Sequence, residues 1–365
     1  MHPLDVLPGS SIERDPHRSV GDFAAMVILK RRRQRSGFAG TAIVIPARTT
    51  LRDKAEPSAS GVGYIRQVLH HPGRHSMESR RKAVGVVAPA GVPDPEGIAR
   101  GIALVESWGF EVRTGAHLGS RYRYFAGTAE ERADDLRRTL MDPSIEIVWL
   151  ARGGFGCAHL LEHLPDEIAT PKTIIGFSDA TSLFCALADR PGVRLLHGPT
   201  FHSLATKVDD ATRADIRAVL TGDERAALSL RHLAGAAGAV RGRLCGGNVT
   251  VLASVAGTRW SLRSRDAIVL LEDVTEFGYR LDRSLTQLRL SGAFDGARAF
   301  VLGQFTRCPI PDGADFTLEQ MLVDVLGGLG LPIYSGLPIG HEHRNITWQY
   351  GSQAAIENGA IRFGA

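Results

Sequence analysis

Short apolar runs and stretches of helical periodicity alternate along the chain from residue 83 onward. The apolar runs predict buried strands at 83–88, 145–150, 173–176 and 194–196, with a further short strand at 110–112. Helices are predicted at 96–108, at 128–141 and directly after Ser178, and Thr128 is a residue type that favours the N-cap. Strands that alternate with helices in this order form a parallel, doubly wound α/β sheet, which binds ligands at the carboxyl ends of its strands.

A second alternating block begins after residues 202–232, which we interpret as a linker region with one helix. Strands are predicted at 239–244, 267–271 and 299–303, and helices at 279–290 and 317–326. This block predicts a C-terminal α/β domain with its own sheet. The predicted organisation is an extension at 1–80, an N-terminal α/β domain at 81–201, the linker region, and a C-terminal domain at 233–365.

The first 76 residues combine Pro, Ser, Gly and His with a basic run at 30–33 and have no sustained apolar period, which predicts poor order. An ordered pattern begins only near Arg81, so we interpret Met77 as the translation start. The alternative is an export signal, because the basic run precedes an apolar stretch at 38–47. That stretch is short and contains Thr41 and Pro46, so we favour the first interpretation.

Charge and cysteine usage narrow the classes of function. Residues 1–76 hold 12 Lys or Arg against 6 Asp or Glu, which leaves 31 against 33 in the remainder and gives no reason to expect a nucleic-acid partner. The four cysteines form no Cys-x-x-Cys pair, which favours free thiols in a reducing, cytoplasmic location. No apolar stretch approaches the roughly 20 residues that span a bilayer, so no membrane partner is expected.

Ser178 is the first candidate nucleophile. It lies at the junction of a predicted buried strand and a helix, with the small residues Gly176 and Ala180 two positions away on either side, as in the turn that exposes a reactive serine. The backbone N–H groups that follow, at a helix N-terminus, would face developing negative charge. The spacing alone fits a helix cap, made by Ser178, Asp179 and Thr181, equally well.

Cys157 is a second candidate nucleophile. It also lies where a strand and a loop lead into a helix, and a thiolate is intrinsically more reactive than a hydroxyl. An apolar helix follows it directly, however, and most cysteines in such positions are small core residues. We therefore prefer Ser178.

Seven short motifs follow one another along residues 83–365, and together they are far more specific than any one of them. In chain order they are Arg152-Gly-Gly-Phe-Gly156, Gly176-Phe-Ser-Asp179, Leu196-His-Gly-Pro199, Gly242-Arg-Leu-Cys-Gly-Gly-Asn248, Leu271-Glu-Asp-Val274, Tyr279-Arg-Leu-Asp-Arg283 and Pro338-Ile-Gly-His341. This set resembles the serine LD-carboxypeptidases, which release terminal D-Ala from murein tetrapeptides in cell-wall recycling. The resemblance implies two α/β domains with the active site between them, no cofactor, and a homodimer.

The resemblance also implies the residues of the active site. The family's Ser-His-Glu triad matches Ser178, His341 and Glu272. Its oxyanion hole would be formed by backbone N–H groups, those of Gly153, Gly154 and Asp179. In such a mechanism the imidazole takes the serine proton and returns it to the departing amine, while the carboxylate orients the imidazole.

Several alternatives stay open at these positions. Phe155 stands where Tyr is common in the family. A second histidine, His343, lies two residues after His341, so either imidazole is a candidate for the base. From the residue pattern alone, Glu272 is better explained as a solvated carboxylate at a strand end. The segment His341-Glu-His343 does not supply the three or four converging ligands of a metal site, so no metal is predicted.

The implied substrate is a small peptide that ends in D-Ala attached to the L-configured centre of a diamino acid. Its terminal carboxylate needs a cation or an array of N–H donors, and Arg152 and Arg344 are candidates by position. His197 is a candidate for the rim of the site. Two other functions remain: a microcin-immunity relative that cleaves a peptidyl or aminoacyl nucleotide, and an inactive muropeptide-binding protein.

Overall fold

The structure of the protein is a computed structural model that describes residues 82–364. The predicted extension at 1–80, the start at Met77 and the alternative export signal lie outside the described residues. Within residues 82–364, no helix combines the length and the apolar character that crossing a bilayer requires.

The described residues form two sheets and the helices that cover them. The strands are β1 (Ala83–Val87), β2 (Glu111–Thr114), β3 (Ile145–Leu150), β4 (Lys172–Gly176), β5 (Val193–His197), β6 (Leu228–Ser229), β7 (Arg231–Ala234), β8 (Val240–Asn248), β9 (Ala267–Val274), β10 (Ala299–Thr306), β11 (Ile333–Ser335), β12 (Trp348–Tyr350), β13 (Gln353–Glu357) and β14 (Ala360–Phe363). The helices are α1 (Pro95–Ser107), α2 (Ala129–Met141), α3 (Ala180–Leu187), α4 (Phe201–Thr206), α5 (Asp210–Thr221), α6 (Val249–Ser254), α7 (Gly278–Leu290) and α8 (Leu318–Gly327), and a 3₁₀ helix spans Cys157–His163. The predicted strands and helices are confirmed to within a few residues, and the side chain of Thr128 caps α2 as predicted.

The first sheet holds six strands in the order β12-β5-β4-β3-β1-β2. Strands β1 to β5 pair in parallel, and β12 pairs antiparallel with β5. The parallel, doubly wound sheet expected from the alternating pattern is therefore confirmed. The strand order reverses between β1 and β3, so the loops after these two strands diverge and leave a crevice at the carboxyl edge of the sheet.

Helices cover both faces of the first sheet. On one face, α1, α4 and α5 pack around a core that contains the fully buried Trp149 and Phe201. On the other face, α2 and α3 contribute Leu140 and Phe184 to a core that continues into the second sheet. Because one close-packed core joins the two sheets, side chains on one sheet are held in fixed positions relative to those on the other.

The second sheet holds eight strands in the order β6-β14-β13-β8-β9-β10-β11-β7. Its central strands, β8 to β11, are parallel, and antiparallel strands flank them on both sides. Strand β9 lies near the middle of the sheet and is buried along almost its whole length. The second α/β unit with its own sheet is thus present as expected.

The two sheets exchange chain segments in a way that the sequence did not indicate. Strand β12 belongs to the first sheet although it lies near the C-terminus, where it pairs with β5. Residues 202–232 contain most of α4, all of α5 and β6, and the start of β7, whereas the sequence predicted a linker region with one helix. The domain boundaries remain a prediction, and no single cut of the chain separates the two sheets.

A glycine allows β8 to approach α3 closely. Gly247 has φ +131°, and a Cβ at this position would lie 2.5 Å from Thr181 Oγ1. The same hydroxyl oxygen accepts a hydrogen bond of 3.1 Å from the backbone N–H of Asn248. Any side chain at residue 247 would therefore push the second sheet away from the helix that follows Ser178.

We expect Gly247→Ala to lower the free energy of unfolding by about 2 kcal/mol or more, because the new methyl group combines an unfavourable φ with a clash. Urea unfolding of the purified protein measures this change. Gly238→Ala is the matched control, since a Cβ there meets open space, and its stability should stay within about 0.5 kcal/mol of the parent. Equal effects of the two substitutions would contradict the close approach.

Candidate active site

Ser178 lies on a strained turn between β4 and α3. Its φ of +63° is in the left-handed region, which non-glycine residues seldom adopt. A Cβ on Gly176 would lie 2.9 Å from Leu150 Cδ1 and 3.1 Å from Ala180 Cβ, so the turn needs small neighbours on both sides. The strain and the tight packing lift the Ser178 hydroxyl out of the sheet at its carboxyl edge. This strand-to-helix turn around Ser178 is here called the elbow.

The side chains of Ser178, His341 and Glu272 form one continuous hydrogen-bonded chain. His341 Nδ1 lies 2.7 Å from Glu272 Oε2, and His341 Nε2 lies 3.1 Å from Ser178 Oγ. Since a carboxylate accepts, the ring proton of the neutral imidazole belongs on Nδ1, and Nε2 is left to accept from the serine hydroxyl. This is the geometry in which an imidazole can remove the serine proton.

Glu272 is fully buried near the end of β9, with 0% of its surface exposed. It is therefore not the solvated strand-end carboxylate that the residue pattern favoured. Within residues 82–364, its Oε1 atom has no hydrogen-bond partner, so the bond from His341 is the principal polar contact of this carboxylate. A buried carboxylate favours a positively charged neighbour, which is what the imidazole becomes when it takes a proton.

Asp273, the next residue, ties the end of β9 to the start of α6. Its Oδ1 accepts from Asn248 Nδ2 at 2.9 Å and from the Val274 N–H at 2.7 Å, and its Oδ2 accepts from the Thr250 N–H and hydroxyl at 2.9 and 2.8 Å. Burial raises the pKa of the Asp273 carboxyl group, and the hydrogen bonds from Thr250 oppose this effect. These bonds hold the strand end that carries Glu272.

The loop that carries His341 is fastened to β10 and to the elbow. Gln304 donates from its backbone N–H to the Ile339 carbonyl at 2.8 Å, and its side-chain oxygen accepts from the Glu342 N–H at 3.0 Å. The ring of Phe177, directly before Ser178, packs 4.8 Å from the His341 ring, centroid to centroid. The imidazole is thereby held from both sides.

His343 does not share in this chain of hydrogen bonds. Its Nδ1 atom donates to the backbone carbonyl of Lys207 at 2.7 Å. Of the two imidazoles that the sequence left open, only that of His341 contacts both Ser178 and Glu272.

Cys157 is a poor nucleophile in this environment. Its side chain is buried, and burial together with the neighbouring Asp179 raises the pKa of the thiol well above its usual value. A thiol in this state stays protonated, and the thiolate is the reactive form. Cys157 contributes its backbone N–H instead, which donates to Asp179 Oδ2 at 2.8 Å.

The loop after β3 packs close to Ser178. A Cβ built on Gly153 would lie 3.3 Å from Ser178 Oγ, so a side chain at residue 153 would crowd the hydroxyl. Within the part of the chain that the structure describes, the N–H groups of Gly153, Gly154 and Asp179 donate to no acceptor. They are therefore available to a negatively charged oxygen that forms beside Ser178.

A cavity of about 590 Å³ opens in front of Ser178 and is lined by both α/β units. Arg152, which the sequence proposed as a substrate-binding residue, lies in its wall, and its Nη1 donates to the Val92 carbonyl at 2.9 Å. Lys207, which the sequence did not single out, also lines the cavity. A single lysine at the end of a helix has no distinctive spacing, so no sequence signal could have identified it.

The structure places the other two predicted substrate-binding residues away from the cavity. His197 is fully buried and its ring stacks on Trp348 at 4.8 Å, because β5 pairs with β12, so it does not lie at the rim. Burial lowers the pKa of His197 to about 3. Arg344 Nε donates to Asp209 Oδ2 at 2.7 Å, and its side chain lines a different cavity.

No group of three or more His, Cys, Asp and Glu side chains within residues 82–364 is arranged to hold a metal ion. The chemistry available at this site is that of a serine, an imidazole and a carboxylate in contact, together with backbone donors.

Both α/β units of the chain match known proteins. Residues 84–198 match the N-terminal domain of LD-carboxypeptidases and residues 241–356 match their C-terminal domain. The murein tetrapeptide carboxypeptidase of Pseudomonas aeruginosa is 36% identical over 293 residues, which are 77% of this chain and 94% of that protein. The microcin C7 self-immunity protein of Escherichia coli is 26% identical over 303 residues, 74% of this chain and 88% of that protein.

Among solved structures, the muramoyltetrapeptide carboxypeptidase of Oxalobacter formigenes superposes with a TM-score of 0.66 at 29% identity, covering 76% of this chain and 98% of that one. Sequence and fold thus agree over both α/β units. The chain belongs to the LD-carboxypeptidase family.

Proposed function

We propose that the protein is a serine LD-carboxypeptidase that releases the terminal D-Ala of murein tetrapeptides. The observation that carries this proposal is the contact of His341 with both Ser178 and Glu272. The similarity to the murein tetrapeptide carboxypeptidase of Pseudomonas aeruginosa supports the substrate. The proposal includes a cytoplasmic location, which the four free cysteines favour, and a homodimer, which the family resemblance implies.

The reaction begins with attack of Ser178 Oγ on the carbonyl carbon before the terminal D-Ala. His341 Nε2 takes the hydroxyl proton, and Glu272 stabilises the imidazolium through Nδ1. The tetrahedral oxyanion is bound by the N–H groups of Gly153, Gly154 and Asp179. His341 then donates the proton to the amine of D-Ala, the C–N bond breaks, and a water activated by the same imidazole hydrolyses the acyl ester.

Lys207 and Arg152 are the cations that bind the terminal carboxylate in this proposal. Within residues 82–364, the ammonium of Lys207 has no hydrogen-bond or ion-pair partner, although it lines the cavity. Partial burial and the nearby positive charge of Arg307 lower its pKa, against the opposing effect of Glu342. An unpaired cation in the wall of the cavity that holds Ser178 suits an exopeptidase, which must recognise a chain end.

A second candidate is hydrolysis of a peptidyl or aminoacyl nucleotide, which the similarity to the microcin C7 self-immunity protein favours.

We expect the purified protein to release D-Ala from a murein tetrapeptide and to leave an aminoacyl sulfamoyl nucleoside largely intact. The Ser178→Ala variant should lose D-Ala release by about 10⁴-fold or more and should not react with a fluorophosphonate probe. Cys157→Ser is the control and should keep both properties within about tenfold. A protein that binds the tetrapeptide without cleaving it would instead be an inactive binding protein.

The two histidines of the loop should differ sharply in their effect. We expect His341→Ala to lower kcat by about 10³-fold or more, because among residues 82–364 no other imidazole hydrogen-bonds to Ser178. His343→Ala should lower it by less than about threefold, since that ring bonds only to a backbone carbonyl. Steady-state release of D-Ala measures both, and a larger loss in the His343 variant would refute the assignment of the base.

Lys207 should control KM rather than kcat. We expect Lys207→Ala to raise KM by about tenfold or more, the loss of one charge-assisted hydrogen bond. Because the pKa of Lys207 is lowered, the KM of the parent protein should rise on going from neutral toward pH 10 as the ammonium loses its proton. Lys207→Arg should flatten this rise, since a guanidinium keeps its charge. Arg344→Ala is the control and should leave KM unchanged, since Arg344 lies outside the cavity. If Lys207→Ala also left KM unchanged, Lys207 would not be part of the substrate site.

A further inference from the structure

The segment Arg152-Gly-Gly-Phe-Gly156, here called the oxyanion loop, follows β3 and carries two of the N–H donors of the proposed oxyanion hole. The Gly153 carbonyl accepts a hydrogen bond of 3.1 Å from the Gly91 N–H, in the loop after β1. Directly after the segment, the Cys157 N–H donates to Asp179 Oδ2 at 2.8 Å. The loop is therefore fastened at its beginning and just past its end.

Arg132, on α2, supplies a third attachment. Its guanidinium is buried, with 2% of the residue exposed, and donates to the carbonyl of Gly156 at 3.0 Å. The same group donates to the carbonyl of Pro89 and, at 3.3 Å, to that of Gly127. One side chain thus joins the oxyanion loop to the loop after β1 and to the start of α2.

The oxyanion loop lies directly against this guanidinium. Gly156 has φ +143°, and a Cβ on it would lie 2.5 Å from Arg132 Nη1. The backbone can approach so closely only because the residue has no side chain. The Gly156 carbonyl also accepts from the His159 N–H at 3.1 Å, within the 3₁₀ helix that follows. A shorter or differently shaped group at residue 132 would therefore remove the bond that ties this carbonyl to α2 and to the loop after β1, and would let the oxyanion loop shift.

The buried charge of Arg132 is balanced within the same network. Burial lowers the pKa of Arg132, while the negative charge of Asp179 opposes this effect. Burial also raises the pKa of the Asp179 carboxyl group, which is 2% exposed, while the Cys157 N–H and the charge of Arg132 oppose the rise. The two opposite charges attract each other without a salt bridge between the side chains, and Asp179 directly follows Ser178 in the sequence.

We infer that Arg132 is a positioning residue for the reaction: together with Asp179, which accepts from the Cys157 N–H just past the loop, it holds the oxyanion loop so that the N–H groups of Gly153 and Gly154 face the tetrahedral oxyanion. The inference rests on the proposed role of Ser178 as nucleophile. Donors to an oxyanion act only within about 2.7–3.1 Å of it, so a shift of the loop by roughly 1 Å weakens stabilisation of the transition state more than binding of the substrate.

The test compares Arg132→Lys and Arg132→Gln with the parent protein. Lysine keeps the charge, but its single nitrogen cannot reproduce the fork that reaches three carbonyls. We expect kcat for D-Ala release to fall by about tenfold in Arg132→Lys and about a hundredfold in Arg132→Gln, with KM within about threefold of the parent value. The rate of fluorophosphonate labelling of Ser178 should fall in parallel, because the phosphoryl oxygen of the probe occupies the same hole.

Arg225→Gln is the matched control. Its partly buried guanidinium also donates to a backbone carbonyl, that of Thr347, and to Asp215, but it lines a cavity other than the catalytic one. We expect this variant to lower the melting temperature without changing kcat or the labelling rate. Loss of activity in proportion to loss of melting temperature in both Arg132 and Arg225 variants would show a merely structural role and overturn the inference.

Asp179→Asn provides the second arm, since asparagine keeps an oxygen that accepts from the Cys157 N–H but removes the negative charge that strengthens this bond. The Asp179→Asn variant should also lower kcat and the labelling rate while KM stays nearly constant. If the Arg132 variants do not fold, the inference is tested by this variant alone. A folded variant at either position with unchanged kcat and labelling rate, or with a change confined to KM, would overturn the inference. Because labelling requires no peptide, a parent protein that is labelled but releases no D-Ala would count against the proposed substrate and not against this inference.

Discussion

The hydrogen bond between the buried carboxylate of Glu272 and the imidazole of His341 is the interaction on which the rest of the site depends. A carboxylate without solvent is unfavourable unless a donor faces it, and Glu272 finds this donor 69 residues further along the chain. The bond selects the tautomer of His341 and aims Nε2 at Ser178. Every element that fixes β9 or the loop at residue 341 therefore acts on the serine.

The second sheet and the helix after Ser178 meet through close contacts that leave little freedom. The Thr181 hydroxyl on α3 accepts from the Asn248 N–H, and Gly247 allows the strand to come that close. Asp273, near the end of β9, is joined to the same corner by three hydrogen bonds, one from Asn248 and two from Thr250. The nucleophile and the carboxylate stand on different sheets, but a short chain of contacts joins them, so their separation is set by packing and not by a flexible linker.

The charged groups around the imidazole of His341 differ from those around the oxyanion loop. In the proposed reaction, the buried carboxylate of Glu272 favours the imidazolium that forms on His341. The inferred role of Arg132 and Asp179 is to hold, through the backbone, the neutral N–H groups that would face the oxyanion. The proposed cations for the carboxylate of the departing D-Ala are Lys207 and Arg152, in the wall of the cavity. Such an arrangement stabilises charge where the reaction creates it and needs no reorganisation as it does so.

The sequence was enough to predict the order of strands and helices, the strand-to-helix turn at Ser178 and the family. These features depend on local periodicity and on short motifs in a fixed order, which can be recognised without knowing which segments meet in space. The position of β12 in the first sheet could not be predicted, since pairing with β5 joins segments about 150 residues apart and three residues carry no topological signal. The same limit applies to single side chains. Only tertiary packing decided that His341 and not His343 meets Ser178, that His197 is enclosed beside Trp348, that Arg344 pairs with Asp209 outside the cavity, and that Lys207 lies within it. Residue type and spacing limit what a group can do, but its neighbours in space determine whether it is buried, paired or free to act.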